Sequence, residues 1–218
     1  IKTKIVNAEM RNWVFVKIIT EQDLYGWGEA TVEWKTRAVV GAIEDLKPLL
    51  VGKDPRNIKQ NFQIMTKHGF WKLGVIGMSA VSGIEHALWD ILGKSLKIPV
   101  WQLLGGKVRE KIKIYTHLGM GDMNAVYRDT METNKLNDHA LALVEKGYKA
   151  FKVVFIPFTH FTNTTQNLNK VNELMSSLRN TVGDDIDIMV DFHGRCGSGI
   201  SATQYLSLIH ISEPTRRI

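Results

Sequence analysis

Residues 186–195 read IDIMVDFHGR, a short apolar segment that ends in an acid and a histidine two positions apart. Its apolar and β-branched residues predict a strand, in which alternate side chains share a face. We therefore expect Asp191 and His193 on one face, about 7 Å apart along the strand, and Phe192 on the other. If this strand belongs to a parallel barrel, both polar side chains lie at its carboxyl end, where such barrels place their active sites.

The segments before this strand alternate between strand and helix patterns. Residues 111–117 and 150–155 predict two further strands, and residues 138–145 and 167–178 predict the helices that connect the three. This alternation is typical of a parallel sheet. It predicts an α/β fold that forms the first three βα units of a TIM-type (β/α) barrel. Three strands cannot close such a barrel, because it needs eight.

The first 109 residues follow a different order, with strand patterns at residues 13–19 and 25–32 and helical patterns after them. Strands followed by helices predict a separate α+β domain. In the strongest helical pattern, Ile84, Leu88 and Ile91 recur on one face and predict a buried stripe. The helices are predicted at residues 36–50, after Asp54 and Pro55, and at residues 79–96.

These patterns divide the chain into three parts. Residues 1–109 form the α+β domain, and residues 110–206 form the partial barrel. Residues 207–218, SLIHISEPTRRI, do not continue the pattern of the helix predicted at 202–206. We interpret this last part as a non-native, adapter-like tail and leave it out of the fold prediction.

Composition limits the classes of function. The chain has 218 residues, is 44% hydrophobic and carries a formal net charge of +6. Its lysines and arginines are spread out, without the basic cluster interleaved with aromatics that favours nucleic acid. There is no apolar run of the roughly 20 residues that cross a bilayer, and no signal peptide pattern. One cysteine, Cys196, excludes an internal disulfide, so we expect a cytoplasmic protein that binds neither nucleic acid nor membrane.

Two basic residues join Asp191 and His193 as candidates. Lys152 lies opposite Phe151 and Val153 in its strand, so it is expected to point into the barrel, where a lysine is either paired or catalytic. The alternative is a lysine that extends to solvent. Arg195 either holds a substrate carboxylate with two hydrogen bonds or is an ordinary surface loop residue.

The chain resembles the enolase superfamily, in its mandelate racemase and muconate lactonizing branch, and is most similar to the galactonate dehydratase group of acid-sugar dehydratases. The resemblance covers about residues 1–206. It rests on the motifs Gly26-Trp-Gly-Glu-Ala30, Ser82-Gly-Ile-Glu-His-Ala-Leu-Trp-Asp90, Leu103-Leu-Gly-Gly106, Tyr148-Lys-Ala-Phe-Lys152 and Asp191-Phe-His-Gly-Arg195. The first domain would then be an enolase-type cap over the barrel.

The resemblance implies a function and a set of roles. It makes Mg²⁺ the cofactor, Asp191 its first ligand, His193 the general acid that expels a hydroxyl, and Lys152 an electrostatic helper near the substrate carboxylate. The substrate would be a small acid sugar, converted to a 2-keto-3-deoxy acid and water by a protein that forms a homo-oligomer at full length. In this family the other metal carboxylates and the basic histidine lie on later strands, so we expect this chain alone to be inactive.

One departure separates the alternatives. Racemases and cycloisomerases of this branch typically carry Lys-x-Lys on the second barrel strand, but here Lys152 is followed two positions later by Val154. An epimerase, racemase or cycloisomerase is therefore less favoured than a dehydratase. A non-catalytic enolase-like binding protein is the remaining alternative, and polar residues on inward strand faces count against it.

Overall fold

A computed structural model of the chain describes residues 1–8, 11–118, 132–159, 161–197 and 199–212. The chain divides into two compact units, Ile1–Glu110 and Lys111–Ile218. Each unit has its own hydrophobic core.

The first unit contains an antiparallel sheet and a layer of helices. In its described residues the sheet has the order β1-β2-β3, with every strand paired to the next one along the chain. The strands are β1 (Lys2–Ala8), β2 (Arg11–Ile19) and β3 (Tyr25–Glu29), and the helices are α1 (Thr36–Leu50), α2 (Ile58–Lys67), α3 (Gly74–Leu96) and the short α4 (Val100–Leu103).

Helix α3 packs against the inner face of this sheet. Val14 and Val16 alternate on β2 with solvent-facing residues and are fully buried, as the period of two requires. On α3 the predicted stripe is confirmed, because Ile84 and Ile91 are buried in the same core. A Cβ atom on Gly28 would lie 1.9 Å from the carbonyl oxygen of Gly83, so this contact of strand and helix requires glycine.

The second unit is built from strands and helices in alternation. Its described strands form a parallel sheet with the order β4-β5-β6. The sheet is open, as expected from the sequence. The strands are β4 (Thr116–Leu118), β5 (Ala150–Val153) and β6 (Asp187–Val190), and the helices are α5 (Thr133–Glu145), α6 (Thr165–Val182) and α7 (Gly199–Ser212).

The core of this unit lies between the sheet and its helices. Phe151 and Val153 of β5 are fully buried in it, whereas Lys152 between them is only partly buried. Leu174 and Leu178 of α6 pack in the same core. The predicted alternation of side chains along β5, with Phe151 and Val153 on one face and Lys152 on the other, is therefore confirmed.

Several boundaries differ from the sequence predictions. Strand β1 was not predicted, and residues 111–115 lie outside the strand that was expected to begin at 111. Asp54 and Pro55 do not open a helix, since the Asp54 carboxylate accepts hydrogen bonds from Arg56 and α2 begins later. Helix α7 continues past residue 206 to Ser212, because nothing in that segment breaks a helix before Pro214 in the sequence. The non-native origin of residues 207–218 stays a prediction.

Candidate functional site

The carboxyl ends of β5 and β6 bring an acid and a lysine together. In the parallel register Lys152 lies beside Met189, and the Asp191 N–H donates to the carbonyl of Val153 at 2.9 Å, just past the end of β6. Lys152 Nζ lies 3.0 Å from Asp191 Oδ2, with about a quarter of each side chain exposed. Lys152 is therefore ion-paired, which was one of the two arrangements expected for a lysine on this face.

His193 lies in a turn and not in an extended strand. Its φ is 48° and that of Gly194 is 66°, so two successive residues adopt left-handed conformations that reverse the chain. The predicted extended spacing between Asp191 and His193 is therefore wrong. Instead, the His193 N–H donates to Asp191 Oδ1 at 2.8 Å, and its ring Nδ1 lies 3.3 Å from Asp191 Oδ2.

Asp191 is held ionised by these neighbours. Partial burial would raise its pKa, but hydrogen bonds from the Lys152 side chain and from the backbone and ring of His193 lower the pKa below its usual value. Both carboxylate oxygens accept hydrogen bonds or face a cation. The result is a fixed negative charge at the carboxyl end of the sheet, with the exposed imidazole of His193 beside it.

Arg195 is not a surface residue. The residue is 3% exposed, its Nη1 donates to the Ile156 carbonyl at 2.7 Å, and its guanidinium lies 4.6 Å from the centre of the Phe158 ring. The surface-loop alternative is therefore wrong, since the side chain braces the segment that follows β5. The backbone of Arg195 accepts from the Thr159 N–H at 2.8 Å, which ties the two strand-end loops together. Its predicted role in substrate binding stays a prediction.

Sequence reasoning missed one residue at this edge of the sheet. His117 in β4 is the register partner of Lys152, so the two side chains project from the same face. Burial lowers the pKa of His117 and the charge of Lys152 lowers it further, against a smaller opposing effect of Asp191. The sequence offered one signal for this residue: His117 is the last residue of the strand predicted at 111–117, so it was already placed at the carboxyl end of that strand.

The donor atoms fit only part of a magnesium site. Asp191 offers a hard oxygen ligand of the kind Mg²⁺ prefers, but one carboxylate binds the ion weakly. Within the residues that the structure describes, no three histidine, cysteine, aspartate or glutamate side chains are placed to hold a metal ion. Asp191 could therefore supply one ligand, and the others would have to come from elsewhere in the protein.

An α+β unit followed along the chain by parallel strand-helix units, with polar residues at the carboxyl ends of the strands, is the order of elements expected for a cap domain and the first part of a (β/α) barrel. Residues 1–105 match the model of the mandelate racemase / muconate lactonizing enzyme, N-terminal domain. A D-galactonate dehydratase from Klebsiella pneumoniae (strain 342) is 38% identical over 204 residues, or 94% of this chain. These matches confirm the resemblance to the mandelate racemase and muconate lactonizing branch of the enolase superfamily.

Solved structures give the same assignment. A member of the enolase superfamily from Salmonella Typhimurium is 30% identical with a TM-score of 0.86, and the match covers 96% of this chain and 57% of that one. A mandelate racemase/muconate lactonizing enzyme from Sulfitobacter sp is 28% identical with a TM-score of 0.85, over 98% of this chain and 57% of that one. The predicted fold class, an enolase-type cap followed by partial βα units, is thus confirmed.

The match is limited by length. The chain spans about half of the Klebsiella relative, 50% of its length, and little more than half of the solved structures above. None of the helices in the described residues is both long enough and apolar enough to span a membrane.

Proposed function

We propose that the whole protein is a Mg²⁺-dependent acid-sugar dehydratase that converts an aldonate or aldarate to a 2-keto-3-deoxy acid and water. The observation that carries the proposal is the cluster of Lys152, Asp191 and His193 at the carboxyl ends of adjacent parallel strands. The identity to a D-galactonate dehydratase over 94% of the chain supports it.

Asp191 would hold the metal in this proposal. Its lowered pKa keeps the carboxylate charged at neutral pH, as a ligand must be. Bound Mg²⁺ would stabilise the negative charge that develops on the substrate carboxylate when the α-proton is removed. The Lys152 ammonium, 3.0 Å from Asp191, adds a second positive charge for the same carboxylate.

His193 would act as the general acid. Its ring Nδ1 faces Asp191 Oδ2 at 3.3 Å, which orients the ring and leaves Nε2 for the substrate. About two-thirds of the side chain is exposed, so a substrate hydroxyl can approach it. A histidine in this position can protonate a departing hydroxyl near neutral pH.

Val154 argues against a mechanism with a lysine base on the second strand. It occupies the position two residues after Lys152 and is buried, with 4% of the residue exposed. Valine has no group that can accept a proton. We therefore favour dehydration, with the base supplied by a residue outside this chain, over racemisation or cycloisomerisation.

The test uses the whole protein with Mg²⁺ and a panel of acid sugars, with release of a 2-keto acid as the readout. We expect turnover of at least one aldonate or aldarate, and its loss in Asp191→Asn. His193→Asn should abolish dehydration but still allow exchange of the α-proton with D₂O, because only the departure of the hydroxyl needs the general acid. The 218-residue chain alone should show no turnover.

Two lysine substitutions form a matched test and control. Lys152→Met should lower kcat/KM by at least about tenfold, the usual scale for loss of one charged contact to a substrate. Lys149→Met, three positions earlier on the exposed side, should leave kcat/KM unchanged. An active protein that needs no Mg²⁺, or that racemises acids without producing a keto acid, would contradict the proposal.

A further inference from the structure

The outer face of the antiparallel sheet in the first unit carries a group of aromatic side chains. Trp13, Tyr25 and Trp27 alternate with the buried residues of β2 and β3 and are 44%, 43% and 40% exposed. Trp13 and Trp27 each lie edge-on to Phe15, with ring centres 6.0 and 6.5 Å apart. Aromatic side chains grouped on a solvent-facing surface in this way are typical of protein–protein contacts.

Opposite charges lie on either side of this aromatic group. Lys4 of β1, Phe15 of β2 and Glu29 of β3 are register partners and form one row across the sheet. Both charged residues are exposed, and in the described part of the chain neither side chain forms a salt bridge. The row therefore has a positive edge, an apolar centre and a negative edge.

A row with this order complements itself. When two copies of the sheet pack face to face around a two-fold axis that runs along β2, β1 of each copy lies over β3 of the other. Lys4 then lies opposite Glu29 of the partner subunit, and the Phe15 rings of the two copies meet on the axis. The same operation forms each ion pair twice.

The lysine of β2 does not obstruct this arrangement. Lys17 Nζ lies 4.1 Å from the centre of the Tyr25 ring and 5.2 Å from the centre of the Trp27 ring. Both rings belong to β3, so the ammonium leans away from an axis that runs over β2. The Lys17 side chains of two copies therefore point away from each other.

The size of the face limits the strength of such a contact. Strand β2 has nine residues and is about 30 Å long, and three strands are about 14 Å wide, so the flat area is about 400 Å² per copy. Standard stable interfaces bury about 800 Å² per partner. Each ion pair and each aromatic contact is thus a large share of this interface, and a single substitution should weaken it measurably.

We propose that the outer face of β1-β2-β3 binds a second copy of the chain around a two-fold axis along β2, with Lys4 of each copy paired to Glu29 of the other. A second copy supplies both complementary charges and the matching aromatic centre, so no other partner chemistry is needed. The inference is independent of the proposed function, because it concerns the first unit and not the residues at the carboxyl ends of β5 and β6.

The test is sedimentation velocity on a dilution series of the whole protein, which gives the dissociation constant of its self-association. Lys4→Glu and Glu29→Lys each place like charges opposite each other and should raise this constant by at least about tenfold. The combined swap, Lys4→Glu with Glu29→Lys, restores opposite charges across the axis and should return the constant close to the wild-type value. Lys59→Glu, an equal change of charge at an exposed position of α2, should have no effect.

A second pair of variants tests the aromatic part of the face. Trp13→Ser should weaken self-association by at least about tenfold, and Trp71→Ser, which changes a residue 81% exposed outside the sheet, should leave it unchanged. A wild-type protein that stays monomeric overturns the inference. An unchanged constant in both Lys4→Glu and Trp13→Ser also overturns it, and is the result expected if another part of the protein covers this face. A combined swap that associates no better than the single changes refutes the two-fold pairing, whereas its recovery shows that the loss in the single variants is not a folding defect.

Discussion

Replacing Gly28 with alanine tests the close packing of β3 against α3. The new Cβ atom would lie 1.9 Å from the carbonyl oxygen of Gly83, whereas real Cβ contacts are essentially never shorter than 3.0 Å. The obstructing atom belongs to the backbone of a helix and cannot rotate away. Strand and helix must therefore separate by at least about 1 Å, well beyond the small adjustments that a packed core accommodates.

The separation should cost about 3 kcal/mol or more of unfolding free energy. Overpacking a core typically costs about 1–3 kcal/mol, and a rigid backbone clash belongs at the upper end of that range. Two hydrogen bonds that join strand to helix would also lengthen: the Trp27 N–H to Asp90 Oδ2 at 2.9 Å, and Lys94 Nζ to the Tyr25 carbonyl at 2.9 Å. Since domains have only about 5–15 kcal/mol of stability, the first unit should be strongly weakened.

Urea unfolding followed by tryptophan fluorescence reports on the first unit, because all six tryptophans lie in it. With a typical slope of about 1–3 kcal/mol per molar urea, Gly28→Ala should lower the midpoint by at least about 1 M. The matched control is Gly41→Ala in α1, where no atom lies within 4 Å of the new methyl group. There alanine should raise stability by about 0.5–1 kcal/mol, as it does in helix interiors. An unchanged midpoint for Gly28→Ala would refute the packing argument.

Three further predictions concern single contacts. The folded-state pKa of Asp191 is below its unfolded value, so the carboxylate stabilises the second unit above about pH 4. This contribution to stability is lost as the pH falls through the folded-state pKa. Urea unfolding followed by circular dichroism should detect the loss in the wild type and not in Asp191→Asn. Arg56→Gln should raise the pKa of Asp54 from about 2 only part of the way to its usual range, measured by NMR titration, because the side-chain hydrogen bonds from Arg56 are lost while the backbone N–H of residue 56 still donates to the carboxylate. Deleting residues 207–218 should leave the melting temperature of the second unit unchanged, whereas Tyr205→Phe, which removes a buried 2.9 Å hydrogen bond, should cost about 1 kcal/mol.

Elements with their own hydrophobic pattern were predictable from the sequence. Helix α1 begins and ends where its apolar spacing indicated, at Thr36 and Leu50. Strand β1 has no such pattern: Lys2 and Lys4 face solvent, and the strand exists because β2 supplies its hydrogen-bond partners. Residues 111–115 show the opposite case, since their alternation of lysine and isoleucine fits a strand but they lie outside the ladder. Pairing with a neighbour decides such segments, and local sequence does not contain that information.

For the candidate site, the sequence predicted which face of a strand a side chain lies on, but not which side chains contact each other. Parity placed Lys152 on the correct face, and its pairing with Asp191 follows from the register of β5 and β6, which only the folded sheet determines. The same rule applied to the preceding strand would have identified His117. For His193 the alternation of strand side chains gave the wrong position, because this residue has a left-handed backbone conformation that the local sequence does not indicate. Only the glycine after it marks a turn.

The five residues of DFHGR act as one structural unit, which explains how an exposed histidine can be held in a fixed place. Phe192 packs on the core and lies edge-on to Tyr205 at 6.5 Å, while Arg195 N–H donates to the Phe192 carbonyl at 2.9 Å and closes the turn. The turn directs the His193 N–H and ring back to Asp191. The partly buried Phe192 and the buried Arg195 thus anchor the loop on both sides of the exposed imidazole, so little conformational entropy of the loop would remain to be lost on binding a ligand.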